Sequence, residues 1–233
     1  MNSRTLAQRT RLATLGVIVA LCAVFTITPT AHAQGALPAG KWQQGRHYRV
    51  LTPTVSSSVA AGKVEVVEIF WYGCGACFML DPYLENWKKS GKPAHVEFVR
   101  IPVTWNAGAK LHARLFYTLQ ALKQEQRLHT KVFDTIHRGG NGLLGRDEAS
   151  TLPVMVAWAK QNGIAEKAFT DAWNSMWVNT RLRQAEDLLR RYRAESTPFM
   201  VVNGKYTTDI STAGGVPQML SLINDLANAE RPR

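Results

Sequence analysis

The apolar pattern predicts an α/β fold interrupted by a long helical insertion. Three observations carry this. Residues 63–72 are β-branched and aromatic with few interruptions, as a strand buried on both faces should be. A helical pattern over 76–89 separates it from a second strand-like run, 95–103, which is the order of a βαβ unit. From 107 to about 193 the pattern stays helical, and strand signals return only at 196–206.

Residues 1–33 begin with Arg4, Arg9 and Arg11, continue with a mostly apolar run over 12–27, and end on Ala31, His32 and Ala33 before Gln34. Basic, apolar and small-x-small segments in that order are what export and cleavage machinery reads, so a signal peptide removed near Ala33 is expected. An uncleaved anchor is the alternative, since about 16 apolar-leaning residues are marginal for a span. Cys22 lies inside this run, and Val19 and Leu21 are not the small residues a lipidation site needs.

Formal charge is +11, and removal of the three arginines of residues 1–33 leaves +8. Arg181, Arg183, Arg190, Arg191 and Arg193 crowd one segment, but Glu186 and Asp187 interrupt it and no aromatic ladder for stacking bases accompanies it. The expectation is a solvated helix face and no nucleic-acid site. The charge still favours acidic partners or anionic lipid surfaces.

Export puts Cys74 and Cys77 in an oxidising compartment. They stand in Phe-Trp-Tyr-Gly-Cys-Gly-Ala-Cys, residues 70–77, where strand gives way to helix. With Cys74 as the cap, its sulfur meets the positive end of the macrodipole and unpaired N–H groups, which favour thiolate; Cys77 then lies one turn inside. A structural staple is the alternative, but closing so short a loop removes only about 2 kcal/mol of unfolded-state entropy. Zinc is another, although His47, His95, His112, His129 and His137 are scattered and no second Cys-x-x-Cys exists; surface or core roles are expected for these histidines. Phe78, where a c-type haem site needs His, excludes that signature.

The next elements follow from local chemistry. Pro82 inside the first helix removes one N–H and is expected to kink it. Leu111, Leu115, Leu119 and Leu122 form one helical stripe, Leu128, Val132, Phe133 and Ile136 another, and Val154, Val156, Trp158, Phe169, Trp173 and Trp177 continue it as core. Glycines at 139, 140 and 142 and Asn162-Gly163 divide the run. Asn203-Gly204 between short apolar segments signals a β-hairpin, with Thr197-Pro198 just before its first strand. A final helix over 216–227 carries Met219, Leu220, Leu222, Ile223 and Leu226.

This succession resembles the thioredoxin fold in its DsbA-like form over most of residues 34–233. The matching residues are Gly45-Arg46-His47-Tyr48 before the first strand, Glu68 six residues before Cys74, and Thr197-Pro198 ahead of Phe-Met-Val-Val-Asn-Gly-Lys-Tyr. The resemblance implies a thioredoxin-like part over 34–104 and 181–233, enclosing a helical insertion over 105–180. It further implies a periplasmic thiol:disulfide oxidoreductase that introduces disulfide bonds into exported proteins. Cys74 would be the surface nucleophile and Cys77 its less exposed partner. Pro198 would be cis and, with Thr197, would present backbone to an extended substrate.

The resemblance also implies that Glu68, a carboxylate in a buried strand, relays protons for the inner cysteine with a pKa raised by desolvation. A solvated edge glutamate is the alternative reading, as for Glu65. Arg100 is a weaker candidate for a basic neighbour, and Trp71 and Tyr72 are candidates for an apolar docking rim, with core burial of Trp71 as the alternative. Expected partners are reduced exported proteins and a membrane quinone-linked reoxidase (DsbB-like); no cofactor or metal is expected, and a monomer is.

Gly75-Ala76 departs from the Pro-His that strongly oxidising members carry between their cysteines. Ala76 can neither donate to nor charge-stabilise a thiolate, so a weaker oxidant is expected. Rival functions are a disulfide isomerase or reductase, a metal-binding module and a holdase chaperone. Only about thirty residues separate Ala33 from the central strand, too few for the dimerisation domain of dimeric isomerases.

Overall fold

The computed structural model describes residues 37–231, and the expected signal peptide and cleavage site lie outside them. Among the described residues, no helix is long and apolar enough to cross a membrane. The elements are β1 (Arg49–Val50), β2 (Val64–Phe70), α1 (Gly75–Asn86), β3 (Val96–Pro102), α2 (Ala107–Ala121), α3 (Glu125–His137), α4 (Glu148–Gln161), α5 (Glu166–Trp173), α6 (Met176–Arg191), β4 (Phe199–Val202), β5 (Tyr206–Thr208), α7 (Ile210–Ala213) and α8 (Val216–Ala229).

The sheet runs β1-β5-β4-β2-β3. β2 and β3 are parallel, joined by α1 as the crossover that parallel pairing requires. β4 returns antiparallel to β2, so Val67 is flanked by Val99 and Val201. Strands on both sides and helices on both faces leave all seven residues of β2 buried. Glu65 is therefore no solvated edge residue: it is 1% exposed, and the Ser58 N–H and hydroxyl both donate to it.

Side-chain alternation along β2 feeds two cores. Val64 and Val66 pack with Leu80 and Leu84 of α1 and Met219, Leu222 and Ile223 of α8. Val67 and Ile69 face the helical insertion and join Leu115, Phe116, Phe133, Phe169 and Trp173. Each such side chain contributes about 1.5–3 kcal/mol by burial, so both cores pin the strand that ends at the cysteines.

Pro82 does not break α1. The departure from α geometry comes later, in a π-helical turn over Trp87–Gly91 where Lys92 N–H reaches Trp87 O at 2.7 Å. The expected domain junction at 180/181 falls inside the continuous α6, whose buried stripe of Val178, Leu182, Ala185 and Leu189 packs mainly on α2. In the β4–β5 turn Asn203 and Gly204 have φ of 52° and 61°, the left-handed pair that matches strand twist. Gly204 also lies so close to Val55 that a Cβ would strike the Val55 carbonyl. α7 is not among the sequence expectations, although Asp209 capping Thr212 N–H at 2.7 Å, with Gly214 and Gly215 after it, is its local signal.

Candidate active site

The end of β2 delivers Cys74 to the N-cap of α1. Its backbone is extended (φ −88°, ψ 115°), and its sulfur accepts from Cys77 N–H at 3.1 Å. Both cysteines are free thiols; Cys74 is half-buried and Cys77 is 0% exposed. Two residues of chain thus separate two very different environments.

The Cys74 pKa is lowered to about 6. A hydrogen bond from the Cys77 thiol is the largest cause, joined by Thr197 and the N–H groups of Cys77 and Ala76, against partial desolvation. The Thr197 carbonyl lies 3.5 Å from Sγ. Cys77 moves the opposite way: burial pushes its thiol far up, and a neighbouring Cys74 thiolate and Glu68 add to this. Thr197-Pro198 is cis, as is Thr52-Pro53.

Beneath the cysteines lies a buried ionic cluster. Arg100, on β3, donates to Glu68 at 2.8 Å, Asp81 at 3.1 Å, Glu85 at 2.9 Å and Glu125 at 3.5 Å. One guanidinium cannot neutralise four carboxylates. Glu68 is the one at 1% exposure with an oxygen, Oε1, left without a partner, and burial raises its pKa to about 7 although Arg100 pulls it down. The same cluster holds Arg100 above its ordinary range, against the effect of burial. The two shifts are compatible: the guanidinium stays charged, and Glu68 is the carboxylate of the cluster that burial favours for protonation. Asp81 goes the other way; burial would raise it, but the His129 ring 3.4 Å away, the charge of Arg100 and a hydrogen bond from the Thr130 hydroxyl hold it low.

Three of the histidines expected to take unrelated surface or core positions converge on residues 71–78. His112 Nδ1 accepts from Trp71 Nε1–H at 3.0 Å, which places its proton on Nε2, facing the Gly142 carbonyl at 2.9 Å. His129 Nδ1 meets the Tyr72 hydroxyl at 3.0 Å, and burial with Arg100 lowers its pKa to about 4, so it is neutral. His137 Nε2–H donates to the Tyr72 carbonyl at 2.7 Å and its ring stacks on Phe78, centroids 4.8 Å apart. α2 and α3 supply all three, so the insertion grips the strand end that carries the cysteines. Chain separations of 41 to 65 residues hid this convergence from the sequence.

Tyr72 is wholly buried and cannot serve as a docking rim, because its ring fills the space between Phe70, Phe133 and His129. Trp71 is half-buried and packs against the same core. On α1 the exposed large apolar side chains are Met79 and Tyr83, 66% and 54% exposed and one turn apart. Of the site residues expected from sequence, Thr197 lies against Cys74 with Pro198 next along the chain, and Glu68 acts electrostatically on Cys77. Asp81, His129 and His137 went unrecognised as neighbours. Among the described residues no group of three or more His, Cys, Asp or Glu is arranged to hold a metal.

Comparison with known proteins gives a concordant picture. Residues 77–224 match the DSBA-like thioredoxin domain. The thiol:disulfide interchange protein DsbA of Azotobacter vinelandii is 35% identical over 218 residues, covering 93% of this chain and 96% of that one. Its namesake from Pseudomonas aeruginosa PAO1 is 34% identical over 196 residues, 84% and 89% of the two chains. Among solved structures, Pseudomonas aeruginosa DsbA superposes with a TM-score of 0.76 at 34% identity, over 83% of this chain and 96% of that one. The oxidoreductase DsbA of Xylella fastidiosa gives 0.73 at 26% identity, over 84% and 99%.

Proposed function

The chain belongs to the DsbA-like thioredoxin family and is a thiol:disulfide oxidoreductase, and from that premise we propose that Cys74 and Cys77 carry the exchange. The observation that supports this most is the asymmetry of the two sulfurs, one capped by N–H groups at a helix start and one sealed in the core.

In the disulfide form a substrate thiolate attacks Cys74 Sγ, the Cys74–Cys77 bond breaks, and a mixed disulfide forms on Cys74. Cys77 leaves as a thiolate and takes a proton, because its buried site favours the thiol. A second substrate thiolate then attacks the substrate sulfur of the mixed disulfide and expels Cys74. Two substrate thiols have lost two electrons, which the reduced dithiol now holds. The lowered pKa of Cys74 makes it the better leaving group. Glu68, poised near 7 and acting electrostatically on Cys77, is the group suited to supply that proton and take it back on reoxidation.

The finer reading is that substrates are reduced exported proteins in the periplasm, reached after cleavage near Ala33. Thr197 and Pro198 present backbone groups to them in strand-like pairing without reading sequence. A membrane quinone-linked protein of the DsbB kind reoxidises the pair, and the protein works as a monomer without cofactor. The thioredoxin-like part comprises 34–104 and 181–233 around the insertion at 105–180, with α6 shared across the later junction.

Replacing the outer cysteine tests the assignment. Cys74→Ser is expected to reduce disulfide formation in a reduced, unfolded substrate to background, and Cys77→Ser to accumulate mixed disulfides through Cys74. Retained exchange in Cys74→Ser would move the chemistry elsewhere. Equilibration with glutathione is expected to give a weaker oxidant than members with Pro-His between the cysteines; a potential as reducing as thioredoxin's overturns the oxidase reading.

A further inference from the structure

Away from the thiols, the insertion-side face of β3 and the flank of α6 enclose a cavity of about 450 Å³. Its apolar wall is Val99, Ile101, Tyr117 and Leu188, and three arginines of α6 and the carboxylate of Asp187 stand at its polar side. The volume lies in the range of small-molecule sites and is too small for a folded partner.

The arginines are not equivalent. Arg190 and Arg191 share Asp187, at 3.0 and 3.7 Å. Arg181 and Arg183 have no carboxylate within ion-pair distance among the described residues; they reach only Gln184 Oε1 and Thr180 Oγ1, each at 3.1 Å. Arg181 is fixed between the rings of Tyr117 and Trp177, 5.5 and 5.7 Å from their centroids, and its Nε is buried without a hydrogen-bond partner. The ring faces recover part of the desolvation cost of the charge, but they leave a directional donor unused. A planar guanidinium held in place beside the cavity, with a neutral amide oxygen and no carboxylate as its partner, fits an oxyanion, and the wall beside it fits hydrocarbon.

We propose that this cavity binds an amphipathic anion, with a carboxylate or phosphate head on Arg181 and Arg183 and an apolar body along Val99, Ile101 and Leu188. None of these residues belongs to the thiol site. The ligand therefore binds the oxidised and reduced protein alike, and its binding stands or falls independently of the exchange chemistry.

Titration of the full-length mature protein with decanoate and with decyl phosphate, followed by calorimetry and by the fluorescence of Trp177, tests this. Saturable one-site binding is expected for both anions and not for 1-decanol. The double variant Arg181→Gln/Arg183→Gln is expected to bind about tenfold or more weakly, through loss of charge-assisted hydrogen bonds. Gln184→Glu removes no arginine but gives Arg181 an internal carboxylate, and it is expected to weaken binding in the same direction while circular dichroism and thiol exchange stay unchanged. Equal binding of decanol, unchanged affinity in both variants, or no saturation by either anion overturns the site. Cosedimentation with phosphatidylglycerol vesicles without saturation by the free anions also overturns it, because that is surface attraction by net charge.

Discussion

Glu68 and Glu230 are both taken largely out of water and each given a cation, yet their proton affinities move in opposite directions. Glu230 closes α8 against the β4–β5 turn and accepts from Lys205 at 2.8 Å, Tyr206 at 2.8 Å and Asn203 at 3.1 Å. Burial would raise its pKa, but those donors outweigh burial and hold it low. Glu68 receives one hydrogen bond, from a guanidinium that three other carboxylates also use, and it keeps an orphan oxygen. Burial wins there and lifts it to about 7. The difference lies in how many donors each oxygen meets. A carboxylate fully supplied with donors stays charged and fastens two elements together, whereas an undersupplied one becomes a proton store.

Removing the shared cation should have the largest effect on that contrast. Arg100→Met leaves Glu68 and Asp81 buried and uncompensated, and a loss of about 3–5 kcal/mol in urea unfolding is expected, easing as acid protonates the cluster. A loss no greater than that of a surface arginine would mean Arg100 does not sustain the cluster.

Glu68→Gln should act more mildly and with a pH signature. The folded pKa of Glu68 is raised above its ordinary 4.5, so its contribution to stability is present below that value and is lost as pH rises through about 7. The variant should therefore be more stable than the parent at pH 8, by about 1–3 kcal/mol, and should lose the advantage near pH 5. A difference independent of pH would show that Glu68 stays ionised throughout.

The smallest effect is expected at the other glutamate, with the opposite sign. Glu230 has a lowered folded pKa, so its stabilisation is present above 4.5 and is lost as pH falls through the folded value. Glu230→Gln should cost about 1 kcal/mol at pH 7 and nothing in strong acid, read from thermal unfolding across pH. If both variants shift stability in one direction, the distinction between store and fastener fails.

Much of this architecture was legible along the chain. The β2 run, the Asn203-Gly204 turn and the helical stripes are written in residues two to four apart, where alternation, left-handed φ and the helical period act. The dithiol was legible for the same reason, since the cap and its partner are three residues apart. Neither the burial of Glu65 nor the fate of Tyr72 could be read this way. Glu65 differs from a solvated strand glutamate through partners the local pattern does not show: β3 beside it, Ser58 on its carboxylate, and the Asn203 N–H on its carbonyl from more than 130 residues away. Tyr72 is buried because α3 closes over it, and His112, His129 and His137 became neighbours only when two helices packed on one strand end.

The sequence by itself determined the order of most elements, the place of Cys74 at a helix start and the Asn203-Gly204 turn, because caps, turns and periodicity are short-range chemistry. The tertiary structure alone decided which glutamate lacks donors and which arginines of α6 go unpaired. Those properties depend on desolvation and on the full set of charges within a few ångströms of a group, and neighbours that close are brought together by packing and not by position along the chain.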